Sequence, residues 1–91
     1  MTVTVRIPTQ LRSLTGGSGE AVLEGGTVGD VLNSLDAAYP GMSGRLFDDA
    51  GKLRRFVNVY VADEDVRFLD GLRTPVAEGS TVSIVPAVAG G

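Results

Sequence analysis

Residues 25–42 read GGTVGDVLNSLDAAYPGM. Val28, Val31, Leu32, Leu35 and Tyr39 recur at steps of three and four, which puts them on one stripe of a helix. Thr27 stands before the stripe as an N-cap, and Asp30 occupies the acidic position of a capping box. Pro40-Gly41 stops the helix: proline cannot continue it, and glycine accepts the turn that follows. One helix with one apolar stripe must bury that stripe against one face of something flat. The rest of the chain supplies strands, so this stretch fixes a two-layer α+β architecture.

Upstream, residues 2–8 (TVTVRIP) alternate. Val3, Val5 and Ile7 share one face; Thr2, Thr4 and Arg6 share the other, the pattern of a half-buried strand. Thr15-Gly16-Gly17-Ser18-Gly19 is a turn or loop tip, and Glu20 to Glu24 form a short second strand, which completes an N-terminal hairpin. The glycines are not a phosphate loop, because no Gly-Lys-Ser/Thr follows and no helix opens there. Gly26 and Gly29 are too sparse for a dinucleotide fingerprint and read as turn and packing glycines.

Downstream, MSGRLFDDAGK (42–52) is a connection with a helical turn that buries Met42, Leu46 and Phe47. In RRFVNVYVADED (54–65), Val57, Val59 and Val61 face one way, and Phe56, Asn58 and Tyr60 the other. Asp63-Glu64-Asp65 reads as the turn after this strand, VRFL (66–69) as a brief edge strand, and Asp70-Gly71 as another turn. In TVSIVP (81–86), Val82 and Ile84 share a face, and Ser83 and Val85 the opposite one. Strand, strand, helix, strand, minor strand, strand is the β-grasp order. The expected fold is a mixed four- to five-stranded sheet packed on one main helix over residues 1–86, with residues 87–91 as a flexible Gly-Gly tail.

Composition excludes several functions. The chain has 91 residues, one domain's worth, and a formal net charge of −3. A nucleic-acid surface needs clustered cations; the longest basic cluster, Lys52-Leu53-Arg54-Arg55, reads as a solvated turn. No apolar run approaches the ~18 residues that span a bilayer, and the N-terminus lacks the features of a secretion signal. A cytoplasmic protein without nucleic-acid or membrane partners is expected. There is no Cys, His or Trp. Disulfides, thiol nucleophiles, Ser-His-Asp units and Cys/His zinc sites are therefore excluded. Asp48-Asp49 and Asp63-Glu64-Asp65 lack the spacing of a calcium loop and read as turn acids. A self-contained enzyme, a bound cofactor and a bound metal are not expected.

That leaves the end of the chain, AVAGG after Pro86. Five extended residues reach about 17 Å. The segment is either a frayed end or a tail narrow enough to thread a partner's channel and present a carboxylate there.

The block GLRTPVAEGSTVSIVPAVAGG (71–91) resembles the C-terminal signature of the MoaD/ThiS-type sulfur carriers, ubiquitin-like β-grasp proteins that end in Gly-Gly. The likeness extends over nearly the whole chain. GKLRRFVNVYVADEDVRF (51–68) together with PAVAGG (86–91) is similar to the CysO-type branch of actinobacteria. The resemblance implies that a ubiquitin-activating-like adenylyltransferase uses ATP and Mg²⁺ to adenylate the Gly91 carboxylate. A rhodanese-type sulfur donor then converts it to a thiocarboxylate. In the CysO-type branch, a PLP-dependent cysteine synthase acting on O-phosphoserine takes the sulfur, and a JAMM-type metalloprotease releases the product. Related carriers feed molybdopterin, thiamin or sulfur-containing natural products. Pro86 then anchors the tail, Ala87, Val88 and Ala89 give reach, Gly90 gives steric access, and Gly91 reacts. Phe56, Tyr60 and Val85, on the sheet face away from the helix, either dock the partner or merely cover the sheet. Rival readings are a modifier joined to lysines and a β-grasp interaction module that carries nothing.

Overall fold

In the computed structural model the described residues are 2–55 and 57–86. They form β1 (Thr2–Arg6), β2 (Glu20–Glu24), α1 (Val28–Ala38), α2 (Met42–Leu46), β3 (Val57–Val61), β4 (Glu64–Asp65) and β5 (Thr81–Pro86), with 3₁₀ turns at Thr9–Thr15, Val66–Phe68 and Gly71–Arg73. The strands lie in the order β2-β1-β5-β3-β4. β1 is antiparallel to β2, with Val3 opposite Leu23 and Val5 opposite Ala21. β5 runs parallel to β1, with Val5 opposite Val82, and antiparallel to β3, with Val59 opposite Ile84. The sheet is therefore mixed and five-stranded, and α1 supplies the second layer: a ubiquitin-like β-grasp fold.

The core sits between α1 and the alternate residues that the sequence pattern selects. Val3, Val5, Ile7, Val57, Val59, Val82 and Ile84 from the strands meet Val28, Val31, Leu32 and Leu35 from α1, and all are buried. Met42 and Leu46 of α2 close one end, with Phe47 packed against them in part. Thr27 caps α1: its Oγ1 accepts from the Asp30 N–H at 3.2 Å, so Thr27 supplies its half of the expected box. Gly25 is required by closeness. A Cβ there would lie 2.7 Å from Val31 Cγ2 and 2.8 Å from the Val31 backbone nitrogen. At Gly29 a Cβ would come within 3.1 Å of the Leu72 carbonyl oxygen, which makes it the packing glycine expected.

Two elements differ from the sequence pattern. The edge strand is not Val66 to Leu69 but Glu64–Asp65, because the reversal after β3 occupies only two residues. Ala62 (φ 50°) and Asp63 (φ 71°) both take left-handed backbone, as a two-residue hairpin demands, so Glu64 pairs with Val61 at once. Val66 then turns fully into the core, and the Asp65 Oδ1 accepts from the Arg67 N–H at 2.8 Å; both favour a 3₁₀ turn over a strand. Residues 9–15, which carry no strand or helix period, wind into a 3₁₀ turn that buries Leu11 and Thr15.

Candidate functional site

The tail begins where β5 ends, at Pro86. The expected site residues beyond it, Ala87, Val88, Ala89, Gly90 and Gly91, lie outside the described residues, as does Phe56. Of the expected docking residues, Tyr60, Val85 and Pro86 are described; the register puts Tyr60 and Val85 on one face of the sheet and Pro86, opposite Val57, on the other. Asn58 stands opposite Val85, Tyr60 opposite Ser83, and Val57 opposite Pro86. Tyr60, Asn58, Ser83 and Val85 share the sheet face that α1 leaves uncovered. Val85 is 44% exposed, and Tyr60 and Pro86 are half-buried. An apolar and aromatic strip thus runs beside the root of the tail.

On one flank of this root, β1 parts from β5. Their pairing reaches Arg6 opposite Ser83; the N–H of Ile7 faces the other way and extends the β2 side of β1, donating to the Gly19 carbonyl at 2.8 Å. Pro8 has no N–H to offer. The gap is an open groove of about 430 Å³ between Arg6, Ile7, Pro8 and Arg12 on one side and Val85 and Pro86 on the other. Arg12 Nε donates to the Ile7 carbonyl at 3.1 Å, which holds the groove wall. On the other flank, Arg67 reaches back to the start of β3. Arg6, Arg12 and Arg67 were not singled out from the sequence. Alternation puts Arg6 on the open face, but no local pattern brings Arg12 or Arg67 to this end of the sheet.

The described residues contain no group of three or more Asp and Glu that could hold a metal ion. Glu78 is the one described carboxylate with a resolved shift. It is held below its ordinary range by the Thr2 hydroxyl foremost and by the Thr2 backbone N–H, the latter at 2.9 Å. Glu78 lies at the opposite end of β1 from the tail root, so it bears on the fold and not on the site. No helix among the described residues is long and apolar enough to cross a membrane. What the arrangement offers is an open sheet face, a groove beside it, and a central strand that ends at Pro86.

A mixed five-stranded sheet with β5 at its centre, packed on one main helix, defines a ubiquitin-like β-grasp protein. The comparison with known families agrees: residues 5–91 match the ThiS family, and the chain belongs to it. It is 56% identical to the "Sulfur carrier protein CysO" of Mycobacterium tuberculosis over the full length of both chains. It is 49% identical over 65 residues, 71% of this chain and 70% of the other, to "Small archaeal modifier protein 3" of Haloferax volcanii. Among solved structures, a chain in the crystal structure of the Amycolatopsis orientalis BexX/CysO complex superposes with a TM-score of 0.92 at 48% identity, covering 98% of this chain and 99% of that one.

Proposed function

We propose that the protein carries sulfur on its own C-terminus. The Gly91 carboxylate attacks the α-phosphorus of ATP on a partner adenylyltransferase, pyrophosphate leaves, and an acyl-adenylate forms. Activation is needed because a carboxylate carbon is a poor electrophile and its oxygen a poor leaving group. The terminal sulfur of a rhodanese-type persulfide then attacks the acyl carbon and AMP departs, giving an acyl disulfide; a thiol reductant attacks the donor's cysteine sulfur, the S–S bond breaks, and the thiocarboxylate leaves. The carrier supplies no catalytic side chain; ATP and Mg²⁺ belong to the partner. Gly90 lets the tail enter a tight active site, because a side chain there would meet its walls. The acceptor we favour is a PLP-dependent cysteine synthase acting on O-phosphoserine, with a JAMM-type metalloprotease releasing cysteine.

The observation that carries this reading is the full-length likeness to a CysO carrier, joined to a strand that ends at Pro86 and is followed by AVAGG. The superposition on a chain from a BexX/CysO complex supports a partner-binding role. The test is intact-mass analysis after incubation with Mg-ATP, sodium sulfide and host extract. One oxygen exchanged for one sulfur at Gly91, absent when Gly90-Gly91 are deleted, is expected. An unchanged mass with an active adenylating enzyme present would remove the carrier reading. The identity to a small archaeal modifier protein favours one second reading, in which Gly91 is joined to lysines. Conjugate ladders on blots against the carrier would then replace the thiolated species.

A further inference from the structure

We infer that Arg67 is a positioning residue for the tail: its guanidinium fixes the start of β3, and through it the last rung that holds β5 before the tail begins. This rests on the carrier reading above.

The reasoning starts from where the backbone of Val57 points. Val57 faces Pro86 in the register, yet neither of its polar groups serves β5. Its N–H donates to the Arg54 carbonyl at 3.0 Å, and its carbonyl accepts from Arg67 Nη2 at 2.8 Å. Both turn outward, toward the edge of the sheet. β4 cannot satisfy them, because it pairs only with Tyr60 and Val61. One side chain stands in for the missing length of strand. Arg67 Nη2 also donates to the Arg54 carbonyl at 2.9 Å, and Nη1 donates to Asn58 Oδ1 at 2.6 Å. The planar guanidinium fork therefore spans Arg54, Val57 and Asn58, a geometry that the compact ammonium of lysine cannot reproduce.

Asn58 is the residue opposite Val85. On the other side of β5, β1 has already left the ladder after Arg6, and Pro86 has no N–H with which to recruit a substitute. Among the described residues, the backbone pairing that reaches the root of the tail comes from β3, and Arg67 is what steadies β3 there. Arg67 is itself anchored. Its backbone N–H is bonded to Asp65, and the preceding Val66 is fully buried. A steady root lowers the ordering cost of docking the tail in a partner.

The experiment uses the full chain with Arg67→Ala and Arg67→Lys. In native-state hydrogen exchange, the Asn58 and Val85 amides should exchange about tenfold faster in Arg67→Ala, while those of α1 stay unchanged. In the thiolation assay with host extract, Mg-ATP and sodium sulfide, the apparent KM for the carrier should rise about tenfold with kcat within about twofold. Arg67→Lys, which keeps the charge but not the fork, should not restore either value. It also serves as the milder variant if Arg67→Ala fails to fold. Wild-type exchange at Asn58 and Val85 in both variants overturns the clamp, and so does full rescue by Lys. A raised KM with unchanged exchange makes Arg67 a direct partner contact and also overturns it. If the wild-type chain is not thiolated, the carrier reading falls instead, and with it the link from clamp to transfer.

Discussion

The two faces of the sheet are built from the same strands, one residue out of phase, and they serve different ends. On the covered face Val3, Val5, Val57, Val59, Val82 and Ile84 are shut away from water under α1. On the open face their neighbours are Thr4, Asn58, Tyr60 and Ser83, with Val22 at 70% and Val85 at 44% exposure. Burial of apolar area at about 25 cal/mol per Å² makes the first face the source of stability. The second face is free to vary in that respect, and it is the face on which we propose that a partner docks. Because the side-chain period of a strand is two, moving one position along β3 or β5 crosses from one role to the other.

Substitutions can break that division or sharpen it. The largest effect is expected from Leu32→Ala, which empties a fully buried position of α1 and should lower unfolding free energy by about 2–5 kcal/mol in urea titration. Next comes Gly25→Ala. Its Cβ would press on the Val31 backbone at 2.8 Å, for an expected loss of about 1–3 kcal/mol, read as a fall in melting temperature. Tyr60→Asp, on the open face, should cost about 1 kcal/mol of stability, because it sets a second carboxylate opposite Asp65 and puts a poor strand former in β3. It should weaken the complex with the adenylating enzyme by more than about 1 kcal/mol in a binding titration; an unchanged affinity would take this face out of the recognition account. The smallest effect is at the margin of the sheet. The folded-state pKa of Glu78 lies below its ordinary value, so its carboxylate stabilises the fold above the unfolded pKa. That contribution is lost as pH falls through the lowered one. The difference in melting temperature between the wild type and Glu78→Gln should therefore close on acidification.

Legibility in the sequence followed the same division. The covered face could be read from periodicity, because burial forces every second strand residue and every third or fourth helix residue to be apolar. The Thr27 cap and the Pro40-Gly41 stop mark α1 for the same local reasons. β4 was misplaced because its turn uses Ala62, a residue with no preference for the left-handed backbone it adopts; the usual signal is glycine or asparagine. Of the site, alternation alone predicts that Tyr60 and Val85 lie on one face, and the register confirms it. Arg67 was beyond reach, since its three acceptors are nine to thirteen positions away and no short-range pattern encodes such a reach. For residues 87–91 the composition leaves a frayed end and a threading tail both open, and the resemblance favours the second.

The position of β5 has a consequence for how the molecule comes into being. The last strand of the described chain fills the slot between the first strand and β3, and its parallel partner on β1 is as distant as Val5 from Val82. Such non-local pairing closes late and slowly. During synthesis the N-terminal hairpin must therefore wait with an open inner edge until β5 has been made. Hairpin and helix can form early, but the two halves of the sheet become one only when a single strand enters between them.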